Sequence, residues 1–372
     1  LKENYKYNMS RIRRVYVPLL IVMISCLIAV VVVELTLRIV NSNDQWAKTR
    51  EANILRNFKF SYDITQLYKG DTPSVEYVRN QYGLRDICES PSEIEILTIG
   101  GSTTDQRYVS YTSTYQAIME ERLKNFNNSF GCVSNAGVDG HSTSGHLFSF
   151  EHWFTLIPEL NPKIILLYVG VNDADFLRAK SPNTGFDTER TAGFKSFLKS
   201  FEIVKALLPI YRLFLNLSDK GSAAYDRHNP IPYTDNDYTV NEMNEQTESL
   251  AEKNALAFRS KMGILLNEIH SMGATPLCVT QPHRYVIEKE GSILSIPNVL
   301  DDGFSGIDYD YSIQKLNDVI FDLCKTNTVD LYNHKFYNSH FYDGVHTTAA
   351  GSEEIGKIIS EFIIRESNRL KP

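Results

Sequence analysis

The chain has 372 residues, 42% of them hydrophobic and 22% charged, with a formal net charge of −7. That length exceeds one small domain and suits one large domain with attachments. The acidic balance argues against nucleic-acid binding, which needs a basic face, and no Lys/Arg-rich block occurs beyond the first residues. Cysteines stand at 26, 88, 132, 278 and 324 without any C-x-x-C pair, so neither a zinc ribbon nor a thioredoxin-like site has support. Cys26 lies in an apolar run. The other four are able to form two disulfides if that part of the chain lies outside the cytosol, or to remain buried thiols, and their spacing does not give a pairing.

Val15–Val33 reads VYVPLLIVMISCLIAVVVV, uninterrupted by charge. At about 1.5 Å per residue it nearly spans a bilayer core, and Leu35 and Leu37 extend it. Lys2, Lys6, Arg11, Arg13 and Arg14 precede it, so the positive-inside rule expects a cytosolic N-terminus over 1–14, a transmembrane signal anchor over 15–38 and the remainder in the periplasm or outside the cell. A start at Met9 keeps this orientation through Arg11, Arg13 and Arg14. A cleaved signal peptide is the first rival, but the run is long for one and no A-x-A-like site follows. A lipid-modified Cys26 is the second, against which the apolar stretch continues past the cysteine.

Residues 39–90 are mixed and polar and are expected to form a stalk and lead-in. A domain over 91–369 then alternates strands and helices. Ile94–Ile99, Cys132–Ala136, Lys163–Val169, Thr275–Thr280 and Val329–Tyr332 predict five short strands. Thr112–Phe126, His146–Ile157, a long stretch ending at Gly273, Tyr311–Cys324 and Gly351–Ile364 predict helices. The apolar strands argue for a parallel sheet covered on both faces, a three-layer α/β/α sandwich in which functional groups gather at the carboxyl ends of the strands. A variable insertion is expected at about 176–240. Within it Phe194, Phe197, Leu198, Phe201, Val204, Leu208 and Tyr211 recur at helical spacing, predicting an amphipathic helix that packs on the domain or serves as a lid or membrane-surface element. Asp219–Asp237 is expected to be a loop.

Four segments follow predicted strands and carry reactive groups. Gly100-Gly101-Ser102-Thr103-Thr104 is a sharp turn able to present the Ser102 hydroxyl; it is neither a Walker loop nor a G-x-G-x-x-G run. Asn135-Ala136-Gly137-Val138-Asp139-Gly140 offers backbone N–H groups at Gly140 or, failing that, Gly137. Gly170-Val171-Asn172-Asp173 offers the Asn172 amide. In Asp343-Gly344-Val345-His346 the carboxylate is placed to hold one ring nitrogen of His346 while the other accepts a proton. Taken singly, each segment is also compatible with an ordinary turn.

Together and in this order, the four segments resemble the SGNH hydrolase family, also called GDSL-type esterases, over roughly Ile94–Ile364. Tyr82-Gly83-Leu84-Arg85-Asp86 and the anchor look like membrane-tethered bacterial members. The resemblance implies a flavodoxin-like fold, Ser102 as nucleophile, Asp343 and His346 as acid and base, and Ser102, Gly140 and Asn172 as oxyanion donors, with no metal or organic cofactor. Gly101 stands where the family's Gly-Asp-Ser has its Asp, which leaves subfamily and substrate open. The implied substrate is an acyl ester, often acetyl, on a cell-envelope carbohydrate, hydrolysed or transferred; a lipid ester is the alternative. Two other classes remain: a metal-dependent hydrolase built on His334, His340, Asp343 and His346, and a non-catalytic glycan-binding or scaffold protein. His141, His146, His152 and His283 carry no assigned role.

Overall fold

The computed structural model describes residues 2–42, 44–70, 72–176, 236–300 and 302–369, with 201, 203, 204, 207 and 234. Most of the helix expected over Phe194–Tyr211, of the loop expected over Asp219–Asp237 and of the insertion expected at 176–240 lies outside them. The chain divides into two compact units, one of Leu1–Ala47 with Thr191–Lys220, the other of Lys48–Arg190 with Gly221–Pro372.

In the first unit, helix α1 spans Lys2–Ser42. Its segment Tyr16–Val40 has a mean hydropathy of 2.9 and is long and apolar enough to cross a membrane; a signal sequence has the same character.

The second unit is built on a five-stranded, fully parallel sheet of β3 (Ile94–Gly100), β4 (Cys132–Asn135), β5 (Ile164–Tyr168), β6 (Thr275–Val279) and β9 (Thr328–Val329), with spatial order β4-β3-β5-β6-β9. Numbered along the chain within the sheet, this order is 2-1-3-4-5, the doubly wound arrangement whose direction reverses between β3 and β5. The central strands read as apolar runs because both faces are covered: every residue of β5 is buried, and every residue of β3 except Glu95. One face packs Ile96, Leu166, Leu277 and Val279 against α4 (Tyr115–Phe126) and α8 (Ala349–Arg365) through Tyr115, Met119, Leu123, Ile355, Ile359 and Ile363. Strand alternation turns Leu97, Ile99, Ile165, Leu167 and Cys278 to the other face. There lie α5 (Thr143–His152), α6 (Thr247–Ser271) and α7 (Gly306–Cys324), and Cys278 is bonded to Cys324 at the end of α7. A second disulfide, Cys88–Cys132, ties the lead-in to β4.

Several boundaries differ from expectation for tertiary reasons. The α5 helix begins at Thr143 rather than His146, because the Asp173 carboxylate, from another loop, accepts from Thr143 N (3.0 Å) and Oγ1 (2.6 Å). It ends at His152, and a 3₁₀ turn follows at Phe154–Leu156. The α7 helix starts five residues before the expected Tyr311, where Ser305 and Asp308 form a capping box. The last strand stops at Val329 because the N–H groups of Leu331 and Tyr332 donate to Thr280 Oγ1 instead of a strand neighbour.

The stretch expected as a stalk is folded from Lys48 onward. After the short helix α2 (Ala47–Glu51), β1 (Phe58–Asp63) and β2 (Ser74–Arg79) pair antiparallel. In β2 alternate residues Val75, Tyr77 and Arg79 are buried. Ile64, Leu67 and Val75 share a small core with Tyr108 and Tyr342. A further hairpin of β7 (Val286–Lys289) and β8 (Ser292–Ser295) follows β6 and was not expected.

Candidate active site

Ser102 is the first residue of α3 (Ser102–Asp105), the single turn that leaves β3 at the switch point. Its N–H is one of the helix-start donors that have no intrahelical acceptor. Gly101, just before it, is required by close approach: a Cβ there would lie 2.3 Å from Asn172 Nδ2. The space that a side chain at position 101 would enter is filled by the amide of Asn172.

The Asp343–His346 turn follows β9. Asp343 Oδ1 accepts from the backbone N–H of Val345 (2.9 Å) and His346 (2.7 Å), and its Oδ2 lies 2.6 Å from His346 Nδ1. With Nδ1–H held by the carboxylate, Nε2 is left as an acceptor, and it stands 2.7 Å from Ser102 Oγ. Ser102 and a turn more than 240 positions away therefore form one continuous hydrogen-bonded relay. Tyr342 stacks on the His346 ring at 5.5 Å and 7°, and Tyr68 stacks on Tyr342 at 5.8 Å and 11°, which fixes the imidazole plane.

Burial disfavours the protonated imidazole of His346, but the Asp343 charge and hydrogen bond, with Asp139 and Asp105 further out, outweigh it and hold the His346 pKa above the ordinary histidine value. Burial likewise opposes the Asp343 carboxylate, yet its interactions with His346 and the two backbone donors hold its pKa below the usual carboxylate range. Each partner stabilises the charged form of the other.

The loop after β4 lies beside the serine turn: Ala136 N donates to Thr98 O and Val138 N to Gly100 O. Gly140 has φ +80°, in the left-handed region that glycine adopts without strain. The other glycine of this loop, Gly137, donates its N–H to Asn135 Oδ1 at 2.8 Å, and its carbonyl accepts from Arg79. Asn172 donates one amide hydrogen to His141 O at 3.0 Å, leaving a second on the same nitrogen.

Around these groups is a buried polar frame that the sequence did not reveal. Gln106, with φ +49°, donates from Nε2 to Thr347 Oγ1 (3.1 Å) and Ser352 Oγ, and accepts from Tyr115 N (2.9 Å). It joins the serine turn to the residue after His346. Arg79 of β2 donates to Asp105, Tyr77 OH and Gly83 O. Asp105 also accepts from Tyr77 OH at 2.6 Å and is bridged by Arg107 to Asp139. Arg85 donates to the carbonyls of Asp105, Gln106 and Val109. The fully buried Arg85 belongs to the Tyr82–Asp86 block, the one sequence signal pointing to this frame.

The rival metal set does not assemble. His334 bonds Glu354 at 3.0 Å, and among the described residues no three His, Cys, Asp or Glu side chains form a group that could hold a metal ion. Of the histidines without an assigned role, His146 is fully buried and its pKa is pushed well down by burial and by His141, so it is neutral; His141 Nε2 lies 2.7 Å from Ala52 O and His283 Nε2 3.1 Å from Asp310.

Fold and site together define a doubly wound α/β protein with a Ser–His–Asp relay at the switch point of its sheet. No family model and no curated protein matches the chain. Solved structures similar to it include a lipase/acylhydrolase from Enterococcus faecalis (14% identity, 73% of this chain and 97% of that one, TM-score 0.39). They also include an acetylxylan esterase from Geobacillus stearothermophilus (14%, 73% and 92%, TM-score 0.37) and a GDSL-like lipase from Bacteroides thetaiotaomicron (11%, 76% and 93%, TM-score 0.35).

Proposed function

We propose that the chain is a serine esterase of the SGNH type, acting by hydrolysis or transfer of an acyl group, with an acetyl ester on a cell-envelope carbohydrate as its substrate. The observation that carries this reading is the relay from Asp343 through His346 to Ser102 at 2.6 and 2.7 Å. The fitting reaction begins as Ser102 Oγ attacks the ester carbonyl while His346 Nε2 takes its proton. The N–H groups of Ser102 and Gly140 and the second amide hydrogen of Asn172 receive the oxyanion; one such donor typically contributes about 3–4 kcal/mol. Collapse expels the alcohol, which recovers the proton from His346. Water or an acceptor hydroxyl then attacks the acyl-serine through the same base, releasing acid or the transferred ester.

An anchored protein with its catalytic unit on the outer side of the membrane fits the basic residues that precede the apolar segment Tyr16–Val40 and the two disulfides, which persist in oxidising compartments. The test is an ester panel varying acyl length and alcohol, with fluorophosphonate labelling, on the full chain in detergent beside its Ser102→Ala variant. Labelling and turnover that vanish in the variant are expected. A folded parent that neither labels nor turns over any ester refutes the proposal. Preference for long acyl chains over acetyl would move the reading to a lipid ester.

A further inference from the structure

Beyond the carboxyl ends of β6 and β9, a cavity of about 700 Å³ opens between the β7–β8 hairpin and the segment Tyr332–Phe341. Its volume suits a small-molecule or oligomer site. None of Ser102, Asp343 and His346 lines it. It shares a wall with their turn: Arg284 donates from its backbone N–H to Gly344 O at 2.8 Å and from its guanidinium to Asn338 O at 3.0 Å. Phe341, another lining residue, stands two positions before Asp343.

The chemistry of the lining narrows the occupant. Lys289 and Lys335 are matched by Glu288 and Glu290, the third cation, Arg284, is buried and turns its guanidinium to the carbonyls of Asn338 and Phe341, and the imidazoles of His283 and His334 are engaged with Asp310 and Glu354. With its one surplus cation spent on backbone carbonyls, the lining has no strong preference for an anion. An acyl chain would strip water from these charged groups without replacing its hydrogen bonds, which is costly. The same lining holds the rings of Tyr332, Phe336 and Tyr337, and Tyr337 is 67% exposed. Donors and acceptors of both kinds beside an accessible aromatic face match a sugar chain, whose hydroxyls use the former and whose C–H faces pack on the latter.

We propose that this cavity binds a neutral oligosaccharide and so holds the alcohol portion of the ester next to the acid–base turn. The binding stands independently; its role in the reaction rests on reading Ser102 as an esterase nucleophile. The test uses the full chain in detergent carrying Ser102→Ala, so that binding is separated from turnover. Xylose-, glucose-, mannose- and N-acetylglucosamine-based oligosaccharides are titrated by calorimetry. At least one is expected to bind, about tenfold more weakly once Tyr337→Ala is added, a loss equivalent to about 1.4 kcal/mol. Tyr337→Phe, which keeps the ring, is expected to retain the affinity. Because Tyr337 is largely exposed, its replacement spares the core. Binding of none of these sugars, equal affinity with and without the Tyr337 ring, or binding of a lysophospholipid in their place overturns the proposal. Failure of the parent chain to turn over p-nitrophenyl acetate would refute the esterase reading instead, and would leave a measured sugar affinity standing.

Discussion

Replacing Asp343 by Asn tests the relay most directly, because it preserves shape while reversing one hydrogen bond. The Asn carbonyl remains able to accept from the N–H groups of Val345 and His346, now at 2.7–2.9 Å, so the turn is kept. Its NH₂, however, faces His346 Nδ1, where the carboxylate oxygen lies at 2.6 Å. Two donors cannot share that contact, so the imidazole moves its proton to Nε2 and points it at Ser102 Oγ. In that tautomer it cannot accept the serine proton, and a loss of about 10⁴ in kcat is expected, roughly 5.5 kcal/mol. The pH profile gives an independent readout. His346 works as a base only when neutral, and Asp343 holds its pKa above the ordinary value of about 6.5. Activity of the parent therefore falls on acidification through a pKa above that value. In Asp343→Asn the raising charge is gone while burial still disfavours the imidazolium, so the acid limb of kcat/KM moves to lower pH. Stopped assays with p-nitrophenyl acetate across the pH range measure both effects. A variant within tenfold of the parent, or one with an unmoved acid limb, would refute the assignment of Asp343.

Asn172→Ala removes one proposed oxyanion donor and is expected to lower kcat by about 10²–10³ with an unchanged melting temperature. Gly101→Ala should approach the same loss by a different route, since its methyl would occupy the place of Asn172 Nδ2; the two are compared by kcat and near-UV circular dichroism. Gln106→Ala removes three hydrogen bonds, worth about 1 kcal/mol each in stability, and loosens His346 relative to Ser102; kcat should fall more than KM rises, with partial recovery in Gln106→Glu. Reducing or replacing Cys88–Cys132, which closes a loop of 44 residues, should cost about 4 kcal/mol by chain entropy, read as a lower denaturant midpoint.

The parallel sheet is legible in the sequence because its strands are buried on both faces, so runs such as Ile164–Tyr168 contain nothing but apolar residues. The proposed site residues can be picked out in the sequence because this topology delivers the strand ends to one edge, where Ser102, Gly140, Asn172 and the Asp343–His346 turn each follow a strand. The β1–β2 pair is not. Its inward face carries Arg79 beside Val75 and Tyr77, so Ser74–Arg79 resembles an exposed polar segment until Asp105 supplies a buried counter-charge from another part of the chain. Gln106 was missed for the same reason, since its partners Thr347 and Ser352 lie more than 240 positions away. Helix starts at Thr143 and Gly306 also depended on groups outside the local pattern or on a cap preceding the apolar run. Disulfide pairing was not legible because spacing alone does not say which strands are neighbours.

These buried polar links give the lead-in a role in the site that its position in the chain does not suggest. Arg79 reaches both Asp105, three residues after Ser102, and the carbonyl of Gly137, three residues before Gly140. Arg85 holds the carbonyls at the end of the serine turn. The proposed nucleophile and one proposed oxyanion donor are therefore set against each other through a hairpin that contributes neither. Removing Arg79 takes from the buried Asp105 its closer ion pair and leaves it Arg107 at 3.3 Å and the Tyr77 hydroxyl, so the cost approaches from below that of a broken buried pair, about 3–5 kcal/mol. Arg79→Met should accordingly lower stability by that order and disturb the Ser102–Gly140 geometry together, whereas an exposed change on the same hairpin, such as Lys59→Ala, touches only the surface pair with Glu76 and should do neither. Equal behaviour of the two variants in denaturation and in kcat would show that the hairpin merely covers the core.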